Sequence, residues 1–212
     1  MNITLRPRRG ITLIELMVVI AVIGVLIAVA APSVRKLLDV QRLRGVSAQL
    51  TTDIQFVRTE AATRQEISGI SFRSIAGGQS CYTVHTCGSR PAPTCTCDCA
   101  AVAGSRCPTA TLSDPDTPRE IRTVTVPQSQ GVQLSPTDAS GVPFPVARVL
   151  FDPATGSLSS FYPSPVNLPP PPFGDTFIGV AKLVAPAAAT GSIRTEINRA
   201  GRPRTCAGIA PC

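Results

Sequence analysis

From Ile11 to Ala31 the chain reads ITLIELMVVIAVIGVLIAVAA, 21 residues with a single charge, Glu15. As a helix this stretch is about 31 Å long, one hydrocarbon thickness. Such a rod has to lie in lipid or against other apolar rods. It is preceded by Arg6, Arg8, Arg9 and the small residue Gly10. A secretory signal carries its small-residue cleavage site after the apolar core; here Gly10 comes before it. Cutting after Gly10 leaves the greasy helix on the mature chain, with Ile11 first and Glu15 fifth. An ordinary signal anchor is the other reading, and Glu15 separates the two. A carboxylate at the centre of a membrane helix costs about 2.5–3.5 kcal/mol, less towards its ends. A plain anchor gains nothing in return.

The remainder of the 212 residues suffices for one modest domain. Aromatics make up 4% and Trp is absent, so its core must come from Val, Ile, Leu, Ala and Phe. The formal net charge is +7, and losing the leader arginines leaves a modest basic excess, compatible with DNA, anionic lipid or a solvated surface. The eight cysteines, at 81, 87, 95, 97, 99, 107, 206 and 212, all follow the apolar run. An even number beyond a membrane segment reads as a disulfide framework in an oxidising compartment. This places the C-terminal part outside the cytoplasm.

Helical patterning resumes after Pro32, which predicts a kink there and not a stop. Val40, Leu43, Val46, Leu50, Ile54, Val57 and Ala61 recur every three or four residues as an apolar stripe, with Arg42, Arg44, Gln49, Asp53 and Arg58 on the other face. A helix from about Thr12 to about Arg64 is expected. Beyond Glu66 the period shortens. Ile67–Phe72, Tyr82–His85, Ile121–Val126, Val132–Leu134, Ala147–Phe151, Leu158–Phe161, Phe177–Val184 and Ile193–Asn198 read as strands. Turn signals separate them at Gly77-Gly78, Asp152–Gly156 and Ala200-Gly201. The fold class is α+β, a long N-terminal helix packed on an antiparallel sheet. The divisions are a leader at 1–10, an apolar helix at 11–31, its amphipathic continuation at 32–66 and a β-rich head at 67–212. Cys87–Pro118 has little reason to order without bridges, and Pro163–Pro172 reads as an extended loop.

No catalytic constellation can be completed. His85 is the single histidine, every Cys is a disulfide candidate, and Asp114 and Asp116 sit among prolines as turn residues. The cluster of Cys81, His85, Cys87, Cys95, Cys97, Cys99 and Cys107 has the residue types of a zinc site, but CxCxC is not a zinc-knuckle spacing and exported thiols oxidise. No metal or other cofactor is expected, and the chain reads as a non-enzyme. Side chains of a CxC run point the same way, so these cysteines pair with more distant partners. Cys206 and Cys212 are expected to close a small C-terminal ring.

The segment Ile193–Arg204, IRTEINRAGRPR, concentrates Arg194, Arg199, Arg202 and Arg204 against Glu196 alone. Gly201 allows a sharp turn, and Pro203 holds Arg202 and Arg204 on an extended tail. Guanidiniums fixed on one edge engage phosphates bidentately, without sequence preference and with a steep fall in salt. No aromatics are interleaved for base stacking. A solvated basic turn that protects an edge strand is the alternative.

The leader with Gly10, Ile11 and Glu15 resembles the type IV prepilin signature. Together with VRTEAATRQEISGISF, CYTVHT, LFDPATGSL and INRAGRPRTC, it makes the chain similar to the GspH/FimT group of minor pilins and pseudopilins. The resemblance implies a type IV pilin-like fold, cleavage between Gly10 and Ile11 by a prepilin peptidase, and N-methylation of Ile11, which stands where Phe is usual. It implies that Glu15 recruits a neighbouring subunit and sets its register by pairing with that subunit's N-terminal amine. Partners are then other pilins or pseudopilins. The location is the inner membrane with a periplasmic head, and a pilus or pseudopilus after assembly. In FimT-like members a C-terminal GRxR motif is associated with double-stranded DNA capture in natural transformation. Here it falls on Gly201, Arg202, Pro203 and Arg204, with Arg199 and Arg194 beside it. A GspH-like pseudopilin of a type II secretion system, without DNA binding, is the alternative.

Overall fold

The computed structural model describes residues 12–75, 78–88, 95, 97–107, 118–127, 129, 131–137, 144, 146–164, 176–183 and 191–207. Helix α1 spans Leu13–Arg64 and continues across Pro32, as the resumed patterning predicts. Thr12 caps it. Its hydroxyl accepts the Glu15 amide at 3.3 Å and its carbonyl accepts the Leu16 amide at 3.2 Å, satisfying N-terminal donors that have no partner within the helix. The chain divides into two compact units, Met1–Leu38 and Asp39–Cys212. In the first, Leu13–Ala31 is long and apolar enough to cross a membrane and presents its apolar side chains outward.

In the second unit, nine strands are present among the described residues: β1 (Ser68–Ile75), β2 (Gln79–Thr86), β3 (Arg119–Val126), β4 (Val132–Thr137), β5 (Val146–Phe151), β6 (Leu158–Ser164), β7 (Thr176–Leu183), β8 (Ser192–Asn198) and β9 (Pro203–Ala207). All pairings are antiparallel, in one sheet ordered β3-β2-β1-β5-β6 and a second ordered β4-β7-β8-β9. The eight expected strands correspond to β1–β8. β6 runs on through Pro163 and Ser164, into the stretch expected as loop; 165–172 lie outside the described residues. The presumed tail after Arg202 is a ninth strand, β9.

The core joins the helix stripe Leu43, Leu50, Ile54, Val57 and Ala61 to Ile70, Phe72, Tyr82, Val84, Val149 and Phe151 of the first sheet, and to Val132, Leu134 and Ile197 of the second. Two residues assigned to the polar helix face behave otherwise. Asp53 is 1% exposed, because Tyr82 donates its hydroxyl to the carboxylate at 2.6 Å and Arg122 pairs with it. A buried carboxylate survives only with such partners. Arg58 is half-buried for a reason given below.

The opposite face of the first sheet carries Gly69, Ser71, Arg73, Cys81, Thr83, His85, Arg148 and Leu150 by strand alternation. The cysteine-rich segment covers it. Cys81–Cys99, Cys87–Cys95 and Cys97–Cys107 are bridged, so each CxC cysteine has a partner outside that run. Arg73 pairs with Asp98, and the Cys97 amide donates to Ser71 Oγ at 3.3 Å. Ile67, Cys87, Cys95 and Leu150 form a small apolar cluster beneath. Asp114 and Asp116 lie outside the described residues.

Candidate nucleic-acid interface

β8 and β9 pair with Ile197 opposite Pro203, Glu196 opposite Arg204, Thr195 opposite Thr205 and Arg194 opposite Cys206. Alternation therefore sends Thr195, Ile197 and Thr205 to one face and Arg194, Glu196 and Arg204 to the other. The first face meets α1. Ser47 and Thr195 hydroxyls are 3.5 Å apart, and Thr51 and Thr205 hydroxyls 3.1 Å. These contacts seat β9 beside the helix.

The turn between the strands is fixed from three sides. Within it, the Gly201 amide donates to Asn198 O at 2.8 Å, the Arg202 amide to Asn198 Oδ1 at 2.9 Å, and the Asn198 amide to Arg202 O at 3.2 Å. From β6, the Leu158 amide donates to Arg199 O at 2.9 Å. From α1, Arg58 stands against Gly201, where a Cβ would lie 3.3 Å from its Cδ, and its Nε donates to Gly156 O of the neighbouring β5–β6 turn at 3.0 Å. Gly201 lies in the left-handed region, φ 72°, with no room for a side chain. The β5–β6 turn that supplies Gly156 is rigid too. Asp152 Oδ1 accepts from the Ala154 amide at 3.0 Å, the Thr155 amide at 2.9 Å and the Thr155 hydroxyl at 3.0 Å. The Thr155 backbone donor foremost, then its hydroxyl, hold this carboxyl below the usual carboxylate range.

On this frame Arg199, Arg202 and Arg204 are exposed. Neither Arg202 nor Arg204 makes an ion pair among the described residues. Two residues apart on extended chain, they stand roughly 6.6 Å from one another along the strand. Arg194 does not join them. It is 5% exposed, with Nε 2.8 Å from Glu196 Oε1. It lies on β8, an inner strand between β7 and β9, and lacks the surface position expected of it. Arg58 was not singled out, because its contact is with a residue 98 positions away.

Cys206 is disulfide-bonded. Its expected partner Cys212 lies outside the described residues, as do Gly10 and Ile11. Glu15 occupies the first turn of α1.

Residues 5–31 match the family model described as the prokaryotic N-terminal methylation motif. No curated protein matches the chain. Among solved structures, the chain is similar to the type IV minor pilin FimU of Pseudomonas aeruginosa, at 16% identity over 77% of this chain and 87% of that one, with a TM-score of 0.41. The chain thus joins a prokaryotic N-terminal methylation motif, over residues 5–31, to a helix and an antiparallel β head.

Proposed function

We propose that this type IV pilin-like chain is a minor pilin whose head holds duplex DNA by its phosphates, through Arg202 and Arg204 with Arg199 beside them. The observation that carries this reading is the pair of exposed guanidiniums flanking Pro203 at the start of β9, after a turn held by Gly201, Gly156 and Arg58. Long flexible cations lose side-chain and chain freedom when they bind a phosphate. A turn already fixed before contact has less to lose, so each charge-assisted contact retains more of its strength. Arg204 faces Glu196, but that carboxylate is already engaged by Arg194.

The N-terminal part of the reading rests on the methylation motif. A prepilin peptidase cuts between Gly10 and Ile11 and Ile11 is N-methylated. The apolar helix is stored in the inner membrane and then packed among other pilins, with Glu15 setting register. The three bridges support an oxidising compartment for the head, as the periplasm is.

A gel-shift with the full-length protein in non-ionic detergent tests the DNA assignment. Duplex DNA of arbitrary sequence should be retarded at low salt, and Arg202→Ala with Arg204→Ala should abolish the shift while leaving thermal unfolding unchanged. If the wild-type protein leaves DNA unshifted at low salt, DNA capture is wrong and a pseudopilin role in type II secretion, without nucleic acid, takes its place.

A further inference from the structure

Beneath the cysteine-rich cover, a ring nitrogen of His85 and the sulfurs of Cys87 and Cys95 lie within 4.8 Å of one another. All three residues are fully buried. The chain is shaped to place the imidazole there. Strand alternation puts His85 on the same face as Cys81 and Thr83, and the β2–β3 register shifts beside it, between Val84 and His85. Its partner across β1 is Gly69, where a Cβ would stand 3.4 Å from His85 Nε2 and 2.5 Å from Leu150 Cδ2. A side chain there would collide with Leu150 and the Val149 carbonyl, so only glycine lets β5 lie this close beside the ring.

His85 Nδ1 lies 3.2 Å from Thr83 O and donates to it. This hydrogen bond assigns the proton to Nδ1 and leaves a lone pair on Nε2. Nε2 is buried without a hydrogen-bond partner, a costly state for a polar atom. A backbone carbonyl behind one ring nitrogen and a bare second nitrogen is the arrangement that orients histidines toward metals. Arg148 is close by, its guanidinium donating to Cys95 O at 3.2 Å.

We propose that the dithiol form of the head, with the Cys87–Cys95 bridge open, binds one Cu(I) ion through His85 Nε2 and the two sulfurs. Opening the bridge takes two electrons and two protons from a dithiol donor, which leaves as its own disulfide. Binding then releases the two thiol protons to solvent. The resulting complex carries one negative charge, and Arg148 lies where it offsets that charge. Soft thiolate ligands and a set of three suit Cu(I), whereas structural zinc takes four ligands. The bridge and the metal are alternative occupants of one buried pocket, so copper competes with oxidative closure of this pair alone.

The test uses the full-length protein in detergent, fully reduced, freed of reductant under argon and given one equivalent of Cu(I). It is then exposed to glutathione disulfide, and the bridges are mapped by alkylation and peptide mass spectrometry. Cys81–Cys99 and Cys97–Cys107 should re-form while Cys87 and Cys95 stay alkylatable, and a Cu(I) chelator should then let their bridge close. His85→Asn should weaken copper retention against the chelator at least tenfold. Closure of all three bridges at the rates seen without copper overturns the proposal, as does copper holding all three open alike. Zinc protecting the pair where copper does not overturns the choice of metal. The wild-type bridge pattern decides by itself, so a His85→Asn variant that fails to fold leaves the test standing.

Discussion

The carbonyl oxygen of Gly156 fills the place where a side chain on Gly201 would begin: a Cβ built on Gly201 would stand 2.5 Å from it. Two turns far apart in sequence are thereby stacked backbone to backbone, with Arg58 of the helix against both. The geometry of the basic strand follows from that contact.

Gly201→Ala should therefore be among the most damaging single changes in the head. The left-handed φ alone costs a non-glycine residue about 1–2 kcal/mol, and forcing the two turns apart adds roughly 1–3 kcal/mol. Chemical denaturation should show a loss of about 3 kcal/mol, with weaker DNA retention in the variant that still folds. Gly156→Ala should cost less, about 1–2 kcal/mol, because its nearest obstacle, Arg58 at 3.1 Å, stands farther off than the 2.5 Å contact at Gly201.

The salt dependence of DNA binding should count the contacts. Three phosphates engaged by Arg199, Arg202 and Arg204 give a log–log slope of about −2.7, and Arg202→Ala or Arg204→Ala alone should flatten it by about 0.9. Arg194→Ala should leave the slope unchanged, since Arg194 is buried. It should instead lower stability by about 3 kcal/mol, because it breaks the buried Arg194–Glu196 pair. Fluorescence anisotropy titrations at several salt concentrations, beside urea melts, separate the two effects.

Tyr82→Phe removes the 2.6 Å bond to the buried Asp53 carboxylate. Hydrogen bonds to charged groups contribute about 1.5–3 kcal/mol. A drop of that size in urea stability, with an unchanged dependence on denaturant and unchanged DNA affinity, is expected. Asp53 lies on α1 and Tyr82 on the sheet, so this bond ties helix to sheet without touching the basic turn.

Burial pushes the His85 pKa from its ordinary 6.5 down to about 4, against the opposing pull of the Thr83 carbonyl. The unfolded chain therefore takes up the proton first as pH falls. The neutral imidazole's contribution to stability is full above about pH 6.5 and is lost progressively toward pH 4, a swing on the order of 3 kcal/mol. Urea melts between pH 7 and pH 4.5 should show this decline in the wild type and a flatter profile in His85→Asn.

The helix stripe was legible because burial repeats at the helical period: Leu50, Ile54, Val57 and Ala61 are all inside. β9 was not legible as a strand. Its five residues include Pro203, Arg204 and Thr205 and show no alternation of apolar and polar. What makes it a strand is β8 and the Thr51–Thr205 contact, both supplied by distant sequence. The same holds for the site. Clustered arginines point to a basic surface, but clustering in sequence does not distinguish Arg194 from Arg204. Only the pairing order does, because β8 is flanked on both sides and β9 is an edge. Asp53 was misplaced for a related reason: helical spacing shows which way a side chain points, and a carboxylate's buried partners, Tyr82 and Arg122, come from other strands.

Thr12 closing the first turn of α1 has a consequence for how Glu15, the lone acid of the apolar run, is interrogated. With Thr12 as cap, residue 15 is the third helical position, where a carboxylate or an amide can reach back to the cap's own N–H. Alanine there removes a charge and a helix-starting group together, whereas glutamine removes only the charge. The isosteric amide therefore separates the effect of the charge from simple unwinding of the rod's tip.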